Sequence, residues 1–373
     1  MGKFLNLGCN TLMFIMGQGC NLSCSYCLKH TLINEQLPVN VSPVIFEYLD
    51  FLAEEGTCPI NCNYFGGEPL VYYDGVKSIV EHCNQIEQRL DKKIFHHSMI
   101  SNGKSLNEEI VEFLNKNNFA YTISWDGNNS IETRGYDVIE DKFDLLLKIN
   151  NLGISSVISS KSYPLDVVNA MQKFDDEYFA KNNSHVRCNF DDIMDTGVGV
   201  ENQELCKIDP ERFESDIQKI FDMYEEDVLS NQTLLNKYHV AIRYCMNNIN
   251  SIKHYLKEGP NKISRCGQGL EVLNLDMSGK IYDCHNVTTG EIGHLQYDSI
   301  PFIRNIIASE YKTMHRINTI CKDCQAISLC GGGCKYVEDE RIGTSCMQSI
   351  IKFNVISDRL IKLAEKVGEA SGC

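Results

Sequence analysis

The chain has 373 residues, of which 43% are hydrophobic and 23% charged. That is a globular composition with room for two or three domains, and it excludes extended disorder. The formal net charge of -15 argues against nucleic acid as a partner, because affinity for phosphates is drawn largely from a basic surface.

No apolar run approaches the about 20 residues that span a bilayer. Residues 1–6 lack the basic-then-apolar pattern of a secretory signal. The expected setting is therefore cytoplasmic, with no membrane partner.

In chain order, short β-type runs alternate with helical periodicity. Residues 11–16 read as a strand and 42–53 as a helix. The pairs 61–65 and 76–90, 97–101 and 107–115, 120–124 and 141–152, and 154–159 and 166–174 repeat the pattern. Residues 185–190 form a sixth strand, followed by a long helix from about 210 to 229 that starts at Asp209-Pro210. Six βα units imply a parallel sheet with helices outside. Periodicity alone does not choose between a partly closed barrel and an open doubly wound sheet. Residues 1–230 are expected to form this domain, 231–264 a bridge, 265–346 a cysteine-rich domain, and 347–373 a C-terminal helix and tail.

The residues suited to chemistry follow the strands. Cys20, Cys24 and Cys27 follow the first, Gly66-Gly67-Glu68-Pro69 the second, and Ser101-Asn102-Gly103 the third. Ser124-Trp125-Asp126-Gly127 ends the fourth and Asn189-Phe190-Asp191-Asp192 the sixth. In parallel α/β architectures the loops at these strand ends build the active site.

Eighteen cysteines are unusual. A disulfide framework belongs to small exported domains, so reduced thiolates holding metal are the better reading. Cys9, Cys58, Cys62, Cys83, Cys188, Cys206, Cys245 and Cys373 read mainly as small core residues. Cys20, Cys24 and Cys27 form C-x3-C-x2-C. Three soft ligands with an open position suit an iron–sulfur cube with one free iron. A zinc ion completed by His30 or a distant cysteine is the alternative.

Cys20-Asn21-Leu22-Ser23-Cys24-Ser25-Tyr26-Cys27 resembles the signature of the radical S-adenosylmethionine (radical SAM) superfamily, in which an aromatic residue such as Tyr26 precedes the last cysteine. Tyr64-Phe65-Gly66-Gly67-Glu68-Pro69 resembles that superfamily's second motif. Ser101-Asn102-Gly103 and Ser124-x-Asp126-Gly127 resemble weaker motifs in the same order. The resemblance implies a partial (β/α)6 TIM-like barrel, S-adenosylmethionine, and a [4Fe–4S] cluster that cleaves it to a radical able to take a hydrogen atom. It also implies cofactor contacts at Tyr26, Gly66, Gly67, Glu68, Pro69, Asn102, Ser124, Asp126 and Arg134, with Glu68 suited to the methionine ammonium and Arg134 to its carboxylate.

A second group runs Cys266, Cys284, Cys321-x2-Cys324-x5-Cys330-x3-Cys334 and Cys346. Its spacing resembles the SPASM extension of radical SAM enzymes that modify peptides and proteins. That resemblance implies two auxiliary [4Fe–4S] clusters, a distal one on Cys321, Cys324, Cys330 and Cys346 and a nearer one on Cys266, Cys284 and Cys334. Relatives with full ligation have a further cysteine before the position of Cys266, absent here. The nearer cluster is therefore expected to keep an open iron, unless Cys245 or another group closes it. His285 follows Cys284 where the sulfatase-maturing branch has an aspartate, and is the candidate catalytic base.

The resemblance points to a peptide or protein maturase that oxidises its substrate or forms a thioether or carbon–carbon crosslink. Too little chain precedes the first strand for a winged-helix leader-recognition domain, so any leader recognition is expected from a separate leader-recognition protein or from the acidic surface of this chain, which would suit a basic peptide. A low-potential donor such as flavodoxin or ferredoxin would supply electrons. The alternatives are the same machinery acting on a small molecule or nucleobase, and a non-catalytic zinc scaffold.

Overall fold

The computed structural model describes residues 10–28, 37–56, 59–197, 200–230, 237–258, 272–286, 288, 291–296 and 315–371. Cys9, His30, Cys58, Cys266, Cys373 and the two ends of the expected bridge lie outside the described residues.

The elements are β1 (Thr11–Ile15), α1 (Pro43–Glu54), β2 (Ile60–Phe65), α2 (Tyr73–Leu90), β3 (Phe95–Ser101), α3 (Glu108–Lys116), β4 (Ala120–Ser124), α4 (Ser130–Arg134), α5 (Val138–Leu146), β5 (Leu152–Ile158), α6 (Pro164–Asn182) and β6 (Arg187–Asp192). There follow α7 (Val200–Leu205), α8 (Pro210–Leu229), α9 (His239–Glu258), β7 (Val272–Asp276), β8 (Lys280–Tyr282), β9 (Gly293–His294), α10 (Ile327–Cys330) and α11 (Gly343–Ser371). The chain divides into two compact units. The first is Met1–Ser124, Val138–Gly153 and Cys266–Tyr311; the second is Trp125–Asp137, Ile154–Arg265 and Lys312–Cys373.

In the first unit the strand order is β4-β3-β2-β1-β7-β8-β9. β1 to β4 follow chain order and run parallel. Such a sheet is wound in one sense, without the reversal of a doubly wound fold. β7 pairs parallel on the free side of β1, and β8 and β9 return antiparallel. In the second unit β5 and β6 lie side by side. The fold is the expected α/β partial barrel, with a cysteine-rich segment and a long C-terminal helix after it.

Burial alternates along the strands. On β2, Ile60, Cys62 and Tyr64 are buried while Asn61, Asn63 and Phe65 are half-buried. Val76, Ile79, Val80 and Cys83 of α2 are buried as well, and each large buried apolar side chain contributes about 1.5–3 kcal/mol. Helix starts follow from capping. Asn107 accepts the Ile110 amide at 2.9 Å, and Asp209 accepts that of Glu211 at 2.9 Å ahead of Pro210.

Two sequence boundaries shift for identifiable reasons. The helix expected over 141–152 ends at Leu146, because Asn115 on α3 takes the backbone of the following turn: its Nδ2 donates to Lys148 O at 2.8 Å and its Oδ1 accepts the Asn150 amide at 2.9 Å. The sixth strand starts at Arg187 rather than 185, because Asp175 holds the Val186 amide at 2.8 Å and His185 Nδ1 at 2.7 Å. Among the described residues no helix is long and apolar enough to cross a membrane.

Candidate functional site

The exit of β1 is laced onto the exit of β2 through backbone. Met16 N–H donates to Phe65 O at 2.8 Å, Gly67 N–H to Gly17 O at 2.9 Å, and Glu68 N–H to Gly19 O at 2.9 Å. A Cβ on Gly66 would lie 2.5 Å from Gly17 O, and one on Gly67 2.3 Å from the carbonyls of Gln18 and Gly19. The glycine pair is thus required by the approach of another loop of the chain itself. Gly19 N–H also donates to the Tyr72 hydroxyl at 2.6 Å.

Beyond Gly19 stand Cys20, exposed, and Cys24 and Cys27, partly buried, all unbridged. Tyr26 is half-buried between them. Asn102 fastens this loop from the end of β3: its Nδ2 lies 3.6 Å from Cys20 Sγ and 2.8 Å from Asn21 Oδ1, and Asn21 Nδ2 donates to Ser105 Oγ at 3.0 Å. Partial desolvation of the sulfur, with Glu68 and Cys27 nearby, pushes the Cys20 thiol up.

Among the described residues only Asp175, His185 and His239 bring ligand atoms all within 4.8 Å. A tetrahedral zinc would gather thiolates to about 3.8 Å from one another. Among the described cysteines no three are gathered that tightly, whereas a cube seats each thiolate on a different iron. The donor set fits a cluster.

Glu68 is 1% exposed. Its Oε1 accepts the Leu70 amide at 2.9 Å and Ser101 Oγ at 2.7 Å, and its Oε2 accepts the Asn102 amide at 2.7 Å. Burial pushes its pKa up against these three bonds. The carboxylate that the sequence suggests for an ammonium ties the β2 exit to the β3 exit. Pro69 opens the short 3-10 turn that carries Tyr72. Ser124 closes β4, half-buried.

In the second unit Asp126 and Arg134 are partners of each other. Arg134 Nε donates to Asp126 Oδ2 at 3.0 Å and a terminal nitrogen to Oδ1 at 3.1 Å. Thr133 Oγ1 and the Val157 amide add bonds at 2.7 and 2.9 Å. The buried guanidinium suggested for a cofactor carboxylate is engaged by a protein carboxylate.

The β7–β8 hairpin carries Cys284 and His285 in the first unit. Asp276 Oδ1 accepts the amides of Ser278 at 2.9 Å and Lys280 at 3.1 Å, fixing the turn. His285 meets the Phe65 ring edge-on at 4.4 Å, and its Nε2 lies 3.2 Å from Asn286 Nδ2. Gln18 Nε2 donates to Thr288 Oγ1 at 2.7 Å, fastening the Cys20 loop to this segment. His285 therefore stands at the β2 exit, beside the residues that hold the cysteine triplet.

Cys321, Cys324, Cys330, Cys334 and Cys346 are in the second unit. Cys321 and Cys330 pack with Ile327, Tyr255, Ile317 and Cys324. Burial, then Cys330, Cys346 and Cys324, push the Cys321 thiol up to about 11, so four sulfurs share one neighbourhood. Cys245 is 2% exposed and its thiol faces Ile220 O on α8 at 4.0 Å. Burial pushes it far up, the behaviour of a core cysteine.

The compact Asp175–His185–His239 group is a structural knot. The two imidazoles stack at 3.9 Å and 8°, so their in-plane lone pairs run side by side instead of converging. Arg243 lowers the His239 pKa further.

Gln18, Asn21, Tyr72, Ser105 and Thr288 hold the site together, and the sequence reading did not single them out. Each acts across long separations with an ordinary polar side chain, so no local pattern marks it.

Residues 14–160 match the family model of the radical SAM superfamily. The chain is 24% identical to the cysteine-type anaerobic sulfatase-maturating enzyme of Clostridium novyi (strain NT), over 331 residues and 85% of each chain. It is similar to the structure of native anSMEcpe with bound AdoMet, with TM-score 0.69, 22% identity, and coverage of 96% of this chain and 99% of that one. It is similar also to Streptococcus suis SuiB bound to precursor peptide SuiA, with TM-score 0.55, 16% identity, and coverage of 87% and 72%. With its cysteine triplet, glycine pair and β3 exit drawn into one place, the chain carries a radical SAM domain and is an enzyme that uses S-adenosylmethionine and a [4Fe–4S] cluster.

Proposed function

We propose that this chain is a peptide- or protein-modifying radical SAM enzyme of the SPASM type. The observation that carries the reading is the lacing of the Cys20–Cys27 loop onto Gly66–Glu68 and Asn102, which makes one site of motifs far apart in sequence. Similarity to a sulfatase-maturating enzyme and to SuiB supports a polypeptide substrate.

In this reading Cys20, Cys24 and Cys27 hold the cluster. Tyr26, the backbone of residues 66–69, Asn102 and Ser124 surround the cofactor. When bound, the cluster and S-adenosylmethionine supply a 5′-deoxyadenosyl radical that takes a hydrogen atom from the substrate. Glu68 acts by joining two strand exits. Asp126 and Arg134 act by holding the loop after Ser124 in shape. His285, at the β2 exit, accepts the substrate's proton at a ring nitrogen.

Cys321, Cys324, Cys330 and Cys346 hold a distal auxiliary [4Fe–4S] cluster. Cys284 and Cys334, with Cys266, hold a nearer one with an open iron. The enzyme works in the cytoplasm of an anaerobic or facultative cell, fed by a flavodoxin or ferredoxin.

The test is anaerobic reconstitution of the full chain, then incubation with S-adenosylmethionine, dithionite and a cysteine-containing peptide. The expected result is 5′-deoxyadenosine together with a peptide lacking two hydrogens by mass spectrometry. Cleavage that responds only to small molecules would overturn the peptide reading. Zinc as the main metal would overturn the cluster assignments.

A further inference from the structure

We propose that Arg316 is the positioning residue of the distal four-cysteine centre: a buried guanidinium that fixes the backbone around the sulfurs and favours the reduced, more negative state of the cluster they hold. This rests on the reading above that Cys321, Cys324, Cys330 and Cys346 carry an iron–sulfur cluster.

Arg316 has no exposed surface. An arginine is almost never fully buried unless paired, and each nitrogen of this one has a partner. Nε donates to Asp339 Oδ1 at 2.6 Å. One terminal nitrogen donates to Cys334 O at 2.8 Å and reaches Gly332 O at 3.4 Å; the other donates to Val337 O. The carbonyl of Arg316 accepts the Cys321 amide at 2.8 Å. One residue therefore ties the first cysteine of the run to the last.

The tie matters because of what lies between. Gly331, Gly332 and Gly333 have φ of 56°, 82° and 77°. Three successive left-handed residues must be glycine, and they are the costliest residues to order. Without side chains, this stretch is fixed through its backbone: Gly331 and Gly333 N–H donate to Ile327 and Cys330 O, and Arg316 adds donors to Gly332 O and to Cys334 O just beyond.

The charge acts in the same place. Asp339 is 38% exposed while the guanidinium is 0% exposed, so water screens the carboxylate more than the cation. The bonds to the Cys334 and Val337 carbonyls, with Cys321 N–H on the Arg316 carbonyl, place this charge within the cysteine run. A reduced cluster carries one more negative charge than an oxidised one. A buried cation beside it therefore favours uptake of an electron, and net charge and hydrogen bonding are known levers on cluster potential.

The experiment uses the full chain reconstituted anaerobically, as wild type, Arg316→Met and Arg316→Lys. Iron and sulfide are counted, and each cluster's midpoint is read by dithionite titration followed by EPR, one electron passing from dithionite to each cluster. With Arg316→Met, one midpoint should fall by about 59 mV or more, a tenfold shift for a one-electron couple. Arg316→Lys, which keeps the charge, should stay near wild type. Loss of one cluster's iron in Arg316→Met but not in Arg316→Lys would also support the assignment. Full iron with every midpoint unchanged in Arg316→Met overturns it while leaving the cluster reading intact. Loss of far-UV circular dichroism in both variants overturns it too, making Arg316 a folding residue only. A wild-type chain with iron for a single cluster would sink the cluster reading itself and this inference with it.

Discussion

The two cysteine centres are built in opposite ways. In the first unit Cys20 is exposed, Cys24 and Cys27 are partly buried, and their loop is held by backbone bonds to Gly66–Glu68. In the second unit Cys321 and Cys330 are buried among Ile327, Ile317 and Tyr255, and a buried arginine straps the run. A centre that must admit a cofactor needs its support on one side only. A centre that only passes charge, the role that the proposed distal cluster would have, can be sealed, because burial and nearby charge tune potential without blocking access. The cysteines do not differ in chemistry; what surrounds them differs.

The largest expected effect breaks the open centre alone. Replacing Cys20, Cys24 and Cys27 together with Ala should abolish 5′-deoxyadenosine formation and remove one cluster's iron, leaving the rest. Unchanged iron, or nucleoside still formed under reducing conditions, would contradict the assignment. A subtler break leaves every ligand in place. Gly67→Ala puts a Cβ 2.3 Å from two carbonyls of the cysteine loop, and both partners are backbone, so the loop must shift. A displacement near 1 Å can cost about a hundredfold in rate. Cofactor cleavage should fall by that order with iron content kept; a variant at wild-type rate would show that the lacing is dispensable.

How much of this was legible in the sequence follows the same division. The six βα units, the Asp209-Pro210 helix start and the cysteine runs were readable, because periodicity, caps and ligand spacing are local. The partners of Glu68 and Arg134 were not. By motif both are expected cofactor contacts; the protein partners the structure adds are Ser101 and Asn102 for one and Asp126 for the other. Which buried charge meets which is decided by strand register and loop path, not by spacing. Arg316 escaped notice for the same reason: an arginine gives no local sign that it will be fully buried. β7 escaped because its partner is β1, more than 250 residues earlier.

His285 gives the third test. It packs against Phe65 at the β2 exit, so His285→Ala should spare cofactor cleavage and slow product formation by about a hundredfold, the low end for lost general-base catalysis. Equal loss of both would recast it as a packing residue. In the second unit, Asp126→Asn leaves the Arg134 guanidinium buried without its ion partner. Breaking such a pair costs about 3–5 kcal/mol, which a urea midpoint would read. A change within error would mean water reaches the pair.

The smallest effect distinguishes the units by pH. Each has a buried histidine held neutral: burial lowers His97 in the first unit to about 4, and burial with His185 and Arg243 lowers His239 in the second to about 4. The unfolded chain takes up those protons near pH 6.5. Between about 4 and 6.5 the unfolded state therefore binds more protons than the folded one, and stability rises with pH. The contribution is complete above 6.5 and is lost as pH falls toward 4, at about 1.4 kcal/mol per pH unit for each group. Glu68 and Asp175, raised mainly by burial, work in the other direction, losing stability as pH rises from the unfolded carboxylate value, so the measurement must be a difference. Urea midpoints of wild type, His97→Asn and His239→Asn, taken anaerobically from about pH 5 to 7, should show each variant's slope reduced by that amount relative to wild type. His97 also accepts or donates at Tyr64 Oη, 3.1 Å away, so His97→Asn should lose stability at every pH besides changing slope. His239→Asn should change mainly the slope. Slopes parallel to wild type in both would mean that neither imidazole is as desolvated as its burial implies.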